Sequence, residues 1–290
     1  MAKLFTMPST PNFVRSNFTL QRTIGLTVSP FTGKTKTQEF DGVYWTAEVS
    51  LPPMRRDVAK NWQSFLLELN GPINHFKFAD PDALTNQGTY STAHLTSELR
   101  TNNTNVTLSF ASNGTLTASA STFANTKVGD FIVITGATNE ENNGTFKVST
   151  VTSNTVVVTD GDFTTENNTA SCKVRTNVKG ATGLCLRAST TGASGTIKKG
   201  DYLSIQSAAS STGTPAQLVM VVEDATATTD SGNDFYSVKT EPKLRSDLAT
   251  GHYVVFTNPK GTFRLLTNAV NWDADNISNY GISFACIEVI

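Results

Sequence analysis

Residues 43–51 read Val-Tyr-Trp-Thr-Ala-Glu-Val-Ser-Leu, and this strict alternation decides the fold of the N-terminal part of the chain. Every odd-numbered position is apolar, and the four positions between them are Tyr44, Thr46, Glu48 and Ser50. Successive side chains of a strand point to opposite faces of a sheet, so the apolar ones share one face. The stretch therefore predicts a strand with one buried face and one exposed face.

A helix is predicted shortly after this strand. Residues 57–69 read Asp-Val-Ala-Lys-Asn-Trp-Gln-Ser-Phe-Leu-Leu-Glu-Leu, in which apolar residues recur at helical intervals. The predicted buried stripe consists of Val58, Trp62, Phe65, Leu66 and Leu69. Gly71 accepts the left-handed conformation that ends many helices, and Pro72 cannot continue one. Residues 74–78 resume the alternation, so strand, helix and strand together predict an α+β core.

The last eleven residues form a nearly continuous apolar strand. One face carries Tyr280, Ile282, Phe284 and Cys286, and the other carries Ala285, Ile287 and Val289. A strand that is apolar on both faces is normally central in its sheet or covered by a partner. We expect it to join the core formed by residues 1–100, which makes residues 101–260 an insertion.

The inserted part is predicted to be all-β. Residues 101–178 are poor in charge, rich in Thr, Asn and Val, and contain turn signals such as Ser153-Asn154, which separates two strand-like runs. Residues 127–134 resemble residues 198–205, and both place Gly-Asp before an aromatic-aliphatic strand. Shared turn chemistry is the alternative to true duplication.

The sequence thus predicts a mainly β protein: an α+β N-terminal domain with one helix, plus inserted or tandem small β-barrel or β-sandwich modules. We place the domains at residues 1–100 (with 261–290 returning), 101–178 and 179–260.

Charge and composition exclude several partner classes. The chain of 290 residues has 23 Lys+Arg against 24 Asp+Glu, and this balance lacks the basic footprint of nucleic-acid binding. No stretch approaches the roughly 20 apolar residues of a membrane span, and the first residues lack the apolar run of a signal peptide. Cys172, Cys185 and Cys286 are read as buried free thiols, with a Cys172–Cys185 disulfide as the alternative.

Reactive motifs are scarce. His75, His94 and His252 are scattered and have no Cys, Asp or Glu at metal-ligand spacing. The acidic pairs at residues 80–82 and 140–141 are read as turn caps rather than as acid/base pairs. The sequence predicts no enzymatic activity, no cofactor and no metal.

One acidic loop has some features of a metal site. Asp160, Asp162 and Glu166 faintly suggest a calcium loop, but they lack the register of an EF-hand.

Large aromatic residues are the candidates for the core or for subunit contacts, and burial in the core is the default interpretation for each. These candidates are Trp45, Trp62, Phe65, Phe76, Phe78, Trp272 and Phe284.

Both ends of the chain resemble the distal tail proteins of tailed bacteriophages. Residues 29–33 read Ser-Pro-Phe-Thr-Gly, and a Trp-containing strand, a short helix ending in Leu-x-Gly and a Phe-rich strand follow, as in that family. Near the C-terminus, residues 199–203, 259–265 and 280–284 also fit the family. The resemblance covers about two thirds of the chain, and residues 101–178 depart from it.

The resemblance implies a non-enzymatic virion protein, made in the host cytoplasm, at the distal end of a siphovirus tail. Such proteins form a homohexameric ring through an N-terminal belt domain, and the ring joins the tail tube protein to the tip, hub or baseplate proteins. Residues 15–50, the helix and the last strand would build the belt, and residues 101–260 would lie on the periphery. The alternatives are a tube, terminator or neck ring protein, and a carbohydrate-binding adhesion module whose partner is a host surface glycan.

Overall fold

The structure is a computed structural model that describes residues 2–90, 94–188, 195–207, 215–230 and 232–290. Within these residues the chain forms 25 strands, one α-helix and one short 3-10 helix. In chain order they are β1 (Leu4–Phe5), β2 (Arg15–Gln21), β3 (Ile24–Val28), β4 (Thr35–Glu39), β5 (Tyr44–Ser50), β6 (Met54–Arg55), α1 (Arg56–Glu68), β7 (His75–Phe78), β8 (His94–Ser97), β9 (Asn102–Phe110), β10 (Thr115–Ala118), β11 (Phe131–Thr135), the 3-10 helix (Glu140–Asn142), β12 (Gly144–Ser153), β13 (Val156–Thr159), β14 (Glu166–Arg175), β15 (Gly183–Ala188), β16 (Thr196–Ile197), β17 (Tyr202–Gln206), β18 (Pro215–Val221), β19 (Ala225–Thr226), β20 (Thr228–Asp230), β21 (Asn233–Glu241), β22 (Tyr253–Val255), β23 (Gly261–Leu265), β24 (Trp272–Ala274) and β25 (Asn279–Glu288). The prediction of a mainly β fold is confirmed.

The chain divides into two compact units. Unit 1 comprises Met1–Leu84 and Asn258–Ile290, and unit 2 comprises Thr85–Thr257. The sequence placed the first boundary near residue 100. The structure places it earlier because β8 pairs with β15 and β22, which are both strands of unit 2.

Unit 1 is built on one sheet with the order β1-β7-β23-β25-β5-β2, and β24 and β6 pair with β25. The last strand, β25, lies between β23 and β5, so its predicted central position in the N-terminal core is confirmed. Its cross-strand partners follow the predicted faces: Cys286 is opposite Ala47, and Phe284 is opposite Val49.

Helix α1 covers the buried face of this sheet and ends where the sequence predicts, since Asn70 and Gly71 both have positive φ. Its buried stripe is Ala59, Trp62, Phe65, Leu66 and Leu69. Val58 is only half-buried, because Ala59 occupies the position that faces the core. The aromatic rings of the helix contact those of the sheet: Phe65 lies edge-on to Phe76 with 5.5 Å between ring centroids.

Unit 2 contains two closed antiparallel barrels. Barrel I consists of β9–β14, and the pairing of β14 with β9 closes it. Its core includes Leu108, Phe110, Phe123 and Ile132. The hairpin predicted around Ser153-Asn154 is formed by β12 and β13.

Barrel II consists of β8, β15, β17, β18, β21 and β22, and the pairing of β15 with β21 closes it. If the six strands of each barrel are numbered along the chain, both have the order first, second, fifth, fourth, third, sixth around the barrel. Barrel I lies in the chain between β8 and β15, the first two strands of barrel II. The two modules are therefore nested rather than consecutive, because β8 precedes barrel I in the chain.

The resemblance between residues 127–134 and 198–205 corresponds to the same turn before the third strand of each barrel. Gly129 and Gly200 adopt φ values of +91° and +93°. Oδ2 of Asp130 and of Asp201 accepts the amide of the lysine three residues earlier, at 2.8 and 2.9 Å. In both turns the glycine amide then donates to the fourth strand. Matching strand order and matching turns favour duplication over chance similarity of turn chemistry.

Candidate functional site

The most exposed part of unit 1 is the distal half of a long hairpin. β2 and β5 pair from Arg15↔Ser50 to Gln21↔Tyr44 and form the base of the hairpin within the sheet. The ribbon continues as β3 and β4, which pair only with each other among the described strands. The amide of Phe40 donates to the Thr23 carbonyl at 3.0 Å and connects the two halves. We call residues 22–41 the arm.

One face of the arm carries an apolar stripe that is open to solvent. Ile24, Leu26 and Val28 alternate along β3 and therefore point to the same side, and their side chains are 53%, 65% and 52% exposed. Their cross-strand neighbours on β4 are Glu39, Thr37 and Thr35, all exposed. The alternation is typical of a half-buried strand, but within the described part of the chain nothing buries this face.

The end of the arm is a tight turn that presents an aromatic ring. The amide of Gly33 donates to the Ser29 carbonyl at 2.9 Å, and the amide of Ser29 donates to the Lys34 carbonyl at 2.9 Å. Gly33 has a φ of +66°, a value that favours glycine. Phe31 is 96% exposed. We call residues 29–34 the tip.

An isolated two-stranded hairpin is at best marginally stable in water. An apolar stripe with a protruding aromatic residue typically marks a surface that binds another protein. The arm is therefore a candidate interface, and the hydrogen bonds of the tip fix the backbone that carries Phe31 before binding, which lowers the entropic cost of association.

A groove of about 710 Å³ lies elsewhere on unit 1, between the N-terminal segment and strand β7. The N-terminal segment is held by hydrogen bonds to its backbone carbonyls. The amide of His75 donates to the Lys3 carbonyl at 2.8 Å, and Trp62 Nε1 donates to the Thr10 carbonyl at 2.8 Å. The ring of Phe13 lies edge-on to those of Trp62 and Phe78, with centroids 5.6 Å apart in each case.

The groove has an apolar base and a mixed rim. Buried Trp62 and Phe78 lie at its base, whereas the exposed side chains of Leu4 and Leu84 line its rim. Asp82, which is exposed, also lines it. The lining also includes Lys77 and Lys260, so lysines outnumber the single carboxylate in the groove.

The predicted aromatic candidates fall mainly in the core. Those that are buried in unit 1 are Trp45, Trp62, Phe65, Phe76 and Phe78. Phe284 is half-buried against Phe13, Trp62 and Phe76. Trp272 is 41% exposed on β24. The exposed apolar residues of the arm were missed, although their alternation was visible in the sequence.

One histidine lies in unit 1, and the other two lie at the pairing of β8 with β22 in barrel II. His75 is on β7 in unit 1, and burial, with a smaller effect of Arg264, lowers its pKa. His94 stacks on Tyr253 with 4.0 Å between ring centroids, and burial lowers its pKa. The amide of His252 donates to Ser97 Oγ at 3.0 Å. Across the described ranges, no group of three His, Cys, Asp or Glu side chains is arranged to hold a metal ion.

The acidic residues act as hydrogen-bond acceptors in loops. Asp80 Oδ1 accepts the amide of Asp82 at 3.2 Å, and Glu141 Oε2 accepts the Thr164 hydroxyl at 2.7 Å. In the suggested calcium loop, Asp160 Oδ1 accepts the amide of Lys147 at 2.7 Å. The interpretation of residues 80–82 as a turn cap is confirmed, since Asp80 accepts a backbone amide there.

Glu166 is the most heavily bonded of these acids. Oε1 accepts the amide of Thr138 at 2.8 Å and the hydroxyl of Thr169. Oε2 accepts the amide and Nδ2 of Asn139, both at 3.1 Å, and Nδ2 of the buried Asn142 at 2.9 Å. Burial alone would raise the pKa of Glu166, but the hydrogen bonds outweigh it and lower the pKa. Both oxygens are thus occupied by protein donors.

The two barrels of unit 2 meet at a buried polar cluster. Arg100 Nη1 lies 3.6 Å from Asp130 Oδ2, and both side chains are almost fully buried. The guanidinium also lies over the Phe235 ring, 3.9 Å from its centroid. Ser237 donates its hydroxyl to Asp130 Oδ1 at 2.9 Å. Burial raises the pKa of Asp130, with Arg100 acting against it.

The cysteines are buried free thiols, as predicted. Burial raises the pKa of Cys185 and of Cys286 well above the ordinary value. A thiol with a raised pKa is a poor nucleophile.

Comparison with models of known protein families and with curated proteins finds no match. No helix in the described part of the chain is long and apolar enough to span a membrane.

Proposed function

We propose that this protein is a non-enzymatic structural subunit of a bacteriophage tail, and that its copies associate through unit 1 into a ring. The ring joins the tail tube to the tail tip or baseplate, and six copies are the number that the resemblance implies. The proposal rests on the sequence resemblance at both ends of the chain and, independently of it, on the exposed arm.

The arm carries the proposal. A ribbon whose apolar stripe has no cover within the described chain gains stability when another chain covers it. Ile24, Leu26, Val28 and Phe31 lie on one continuous segment, so a single contact would remove all four from water. A contact between two different patches of identical subunits generates a ring when the rotation closes.

The closed barrels suit a different role. Closure of a barrel removes free sheet edges, which are the usual route to uncontrolled strand pairing. Barrel I and barrel II are both closed by strand pairing. In this proposal unit 1 supplies the ring contacts, and unit 2 provides rigid surface for contacts with other tail proteins.

Labelling of the particle tests the proposal. An antibody against this chain should decorate the distal end of the tail in negative-stain images of the phage that encodes it. Label at the neck or along the tube would favour a terminator or tube protein instead. Particles that carry no label in any position, although the antibody detects the purified protein, would contradict a structural role in the virion.

A further inference from the structure

We propose that a latch centred on the buried carboxylate of Asp130 holds barrel I on barrel II, and that release of the latch frees barrel I as a folded body. The latch consists of Asp130, Arg100 and Ser237. This inference goes beyond the proposed function and does not depend on it, because all three residues lie within unit 2 and concern only how its two barrels are joined.

One outer face of barrel II is buried. Along β15, Leu184 and Leu186 belong to the core of barrel II, so Gly183 and Cys185 point outward. Cys185 is nevertheless only 1% exposed. Burial and, after it, the charge of Asp130 in barrel I raise the pKa of Cys185. Barrel I is therefore what covers this face.

Strand β11 of barrel I supplies the cover. Ile132 and Ile134 belong to the core of barrel I, whereas Val133 between them packs with the core residues of barrel II. Phe131 lies so close to β15 that a Cβ on Gly183 would be 2.1 Å from its ring. The contact thus has an apolar part, which favours docking without adding to the strand pairing of either barrel.

The latch adds a buried charge pair to this contact. Asp130, which precedes β11, accepts the hydroxyl of Ser237 on β21 of barrel II at 2.9 Å. Arg100 lies 3.6 Å from the same carboxylate and stacks on Phe235, which is also on β21. Removal of one member of a buried ion pair leaves the other as an uncompensated buried charge. Docking of the barrels therefore depends on Asp130.

The chain passes between the barrels at two adjacent places, and these form the hinge. On the barrel I side, the amide of Thr176 donates to the Thr101 carbonyl at 2.9 Å. On the barrel II side, Asn177 Nδ2 donates to the carbonyls of Glu98 at 3.0 Å and of Cys185 at 2.7 Å. The bonds thus change from one barrel to the other within one residue. Because each barrel is closed by its own strand pairing, movement at this hinge leaves both barrels folded.

Exposed ion pairs also connect barrel I to the rest of unit 2, but they contribute little. An ion pair at the surface is worth little and is screened by salt, whereas a buried pair is screened much less. Salt therefore distinguishes these pairs from the latch. The exposed pairs are Lys127–Asp230 at 3.2 Å, Lys147–Glu223 at 3.1 Å and Arg175–Asp247 at 3.0 Å.

The native thiols test the latch in the full-length protein. Cys172 lies in the core of barrel I, Cys286 lies on β25 of unit 1 and Cys185 lies between the barrels, and all three are buried. Labelling with the neutral reagent N-ethylmaleimide, followed by mass spectrometry of peptides, measures how often each thiol becomes accessible. Asp130→Asn should accelerate labelling of Cys185 by roughly 100-fold, because Arg100 loses its counter-charge, and should leave Cys172 and Cys286 within about threefold of wild type.

Two further variants keep the test independent of the turn that Asp130 also caps. Ser237→Ala removes a bond to the carboxylate from the barrel II side and should accelerate labelling of Cys185 by about 10-fold. Asp201→Asn is the matched control, because Asp201 occupies the same turn in barrel II and accepts the amides of Gln87 and Lys198. It should leave the labelling of Cys185 near the wild-type rate.

The outcomes are distinct. A rate at Cys185 that Asp130→Asn does not change would overturn the latch. Where Asp130→Asn exposes Cys172 as well, Ser237→Ala decides: joint labelling of Cys172 and Cys185 in that variant too would show that barrel I unfolds rather than undocks, which would overturn its release as a folded body. Rapid labelling of Cys185 in the wild type at about 1 M salt would assign the joint to the exposed ion pairs and would also overturn the latch.

Discussion

Replacement of Glu166 by Gln should loosen one end of barrel I. The carboxylate accepts five hydrogen bonds from Thr138, Asn139, Asn142 and Thr169, with two at Oε1 and three at Oε2. Glutamine keeps one acceptor oxygen and turns an NH₂ group toward the other set of donors. The NH₂ group cannot accept hydrogen bonds from the donors that it faces, which are the Thr138 amide on one side or the Asn139 and Asn142 donors on the other.

The size of the effect follows from this loss. A hydrogen bond to a charged group contributes roughly 1.5–3 kcal/mol, and glutamine loses both the charge and at least one of these bonds, so we expect about 2 kcal/mol for the local opening of residues 138–142. That corresponds to roughly a 30-fold change in the opening equilibrium. Amide hydrogen exchange at Thr138 and Asn139 measures it directly, because both amides donate to Glu166. Global unfolding is a poorer assay for a chain with two units.

Glu141→Gln is the matched control, since Glu141 lies in the same loop but is exposed and accepts the hydroxyl of Thr164. It should change exchange at Thr138 and Asn139 by less than about threefold, as expected for a single exposed hydrogen bond. Equal exchange rates in the two variants would refute the assignment of the loop's stability to Glu166.

The pH dependence gives a second check. The hydrogen bonds lower the pKa of Glu166 in the folded protein, and the unfolded value is about 4.3. Stability from a carboxylate with a lowered pKa is fully present above the unfolded value and is lost as the pH falls through the folded value. The difference between wild type and Glu166→Gln should therefore be constant above about pH 5 and shrink progressively below pH 4.

Three further predictions concern the core, the repeated turn and the acidic loop. Trp62→Ala should lower the unfolding free energy of unit 1 by about 3–5 kcal/mol, whereas exposed Trp272→Ala should cost under about 1 kcal/mol; equal losses in urea titrations would show that the core is misplaced. Asp201→Ala should cost about 2–4 kcal/mol because the amides of Gln87 and Lys198 lose their acceptor, and Asp201→Asn, which keeps one oxygen, should cost about half as much. Millimolar Ca²⁺ or EDTA should leave the melting temperature unchanged within about 1 °C, because protein donors occupy the carboxylates of Asp160 and Glu166; a clear rise with Ca²⁺ would contradict this.

The parts of the fold that sequence predicted best are those in which pattern and burial agree. The alternation at residues 43–51 became β5 with Trp45, Ala47 and Val49 buried. The helical stripe became α1, and the doubly apolar C-terminal run became the central strand β25. In each case the hydrophobic effect acts on a local periodicity that can be read directly from neighbouring residues.

Other features depend on distant partners. Residues 94–97 are a short strand whose membership in barrel II is decided by pairing with β15 and β22, far along the chain. The nesting of the barrels could therefore not be predicted from local pattern. The alternation of Ile24, Leu26 and Val28 correctly indicates a strand, but periodicity reports which side chains share a face and not whether that face is covered. The bonds to Glu166 likewise come from separate segments.

The central claim is that the arm makes copies of this chain associate. Its most direct test compares the mass in solution of the wild-type protein with that of a variant in which residues 22–43 are replaced by Asn-Gly, a dipeptide that favours tight hairpin turns. The pairing of Gln21 with Tyr44 leaves the sheet of unit 1 a short closure. By sedimentation over a range of concentrations, the wild type should reach several times 31.1 kDa, and the armless variant should remain a folded monomer. Assemblies of the same mass from both proteins would contradict the claim.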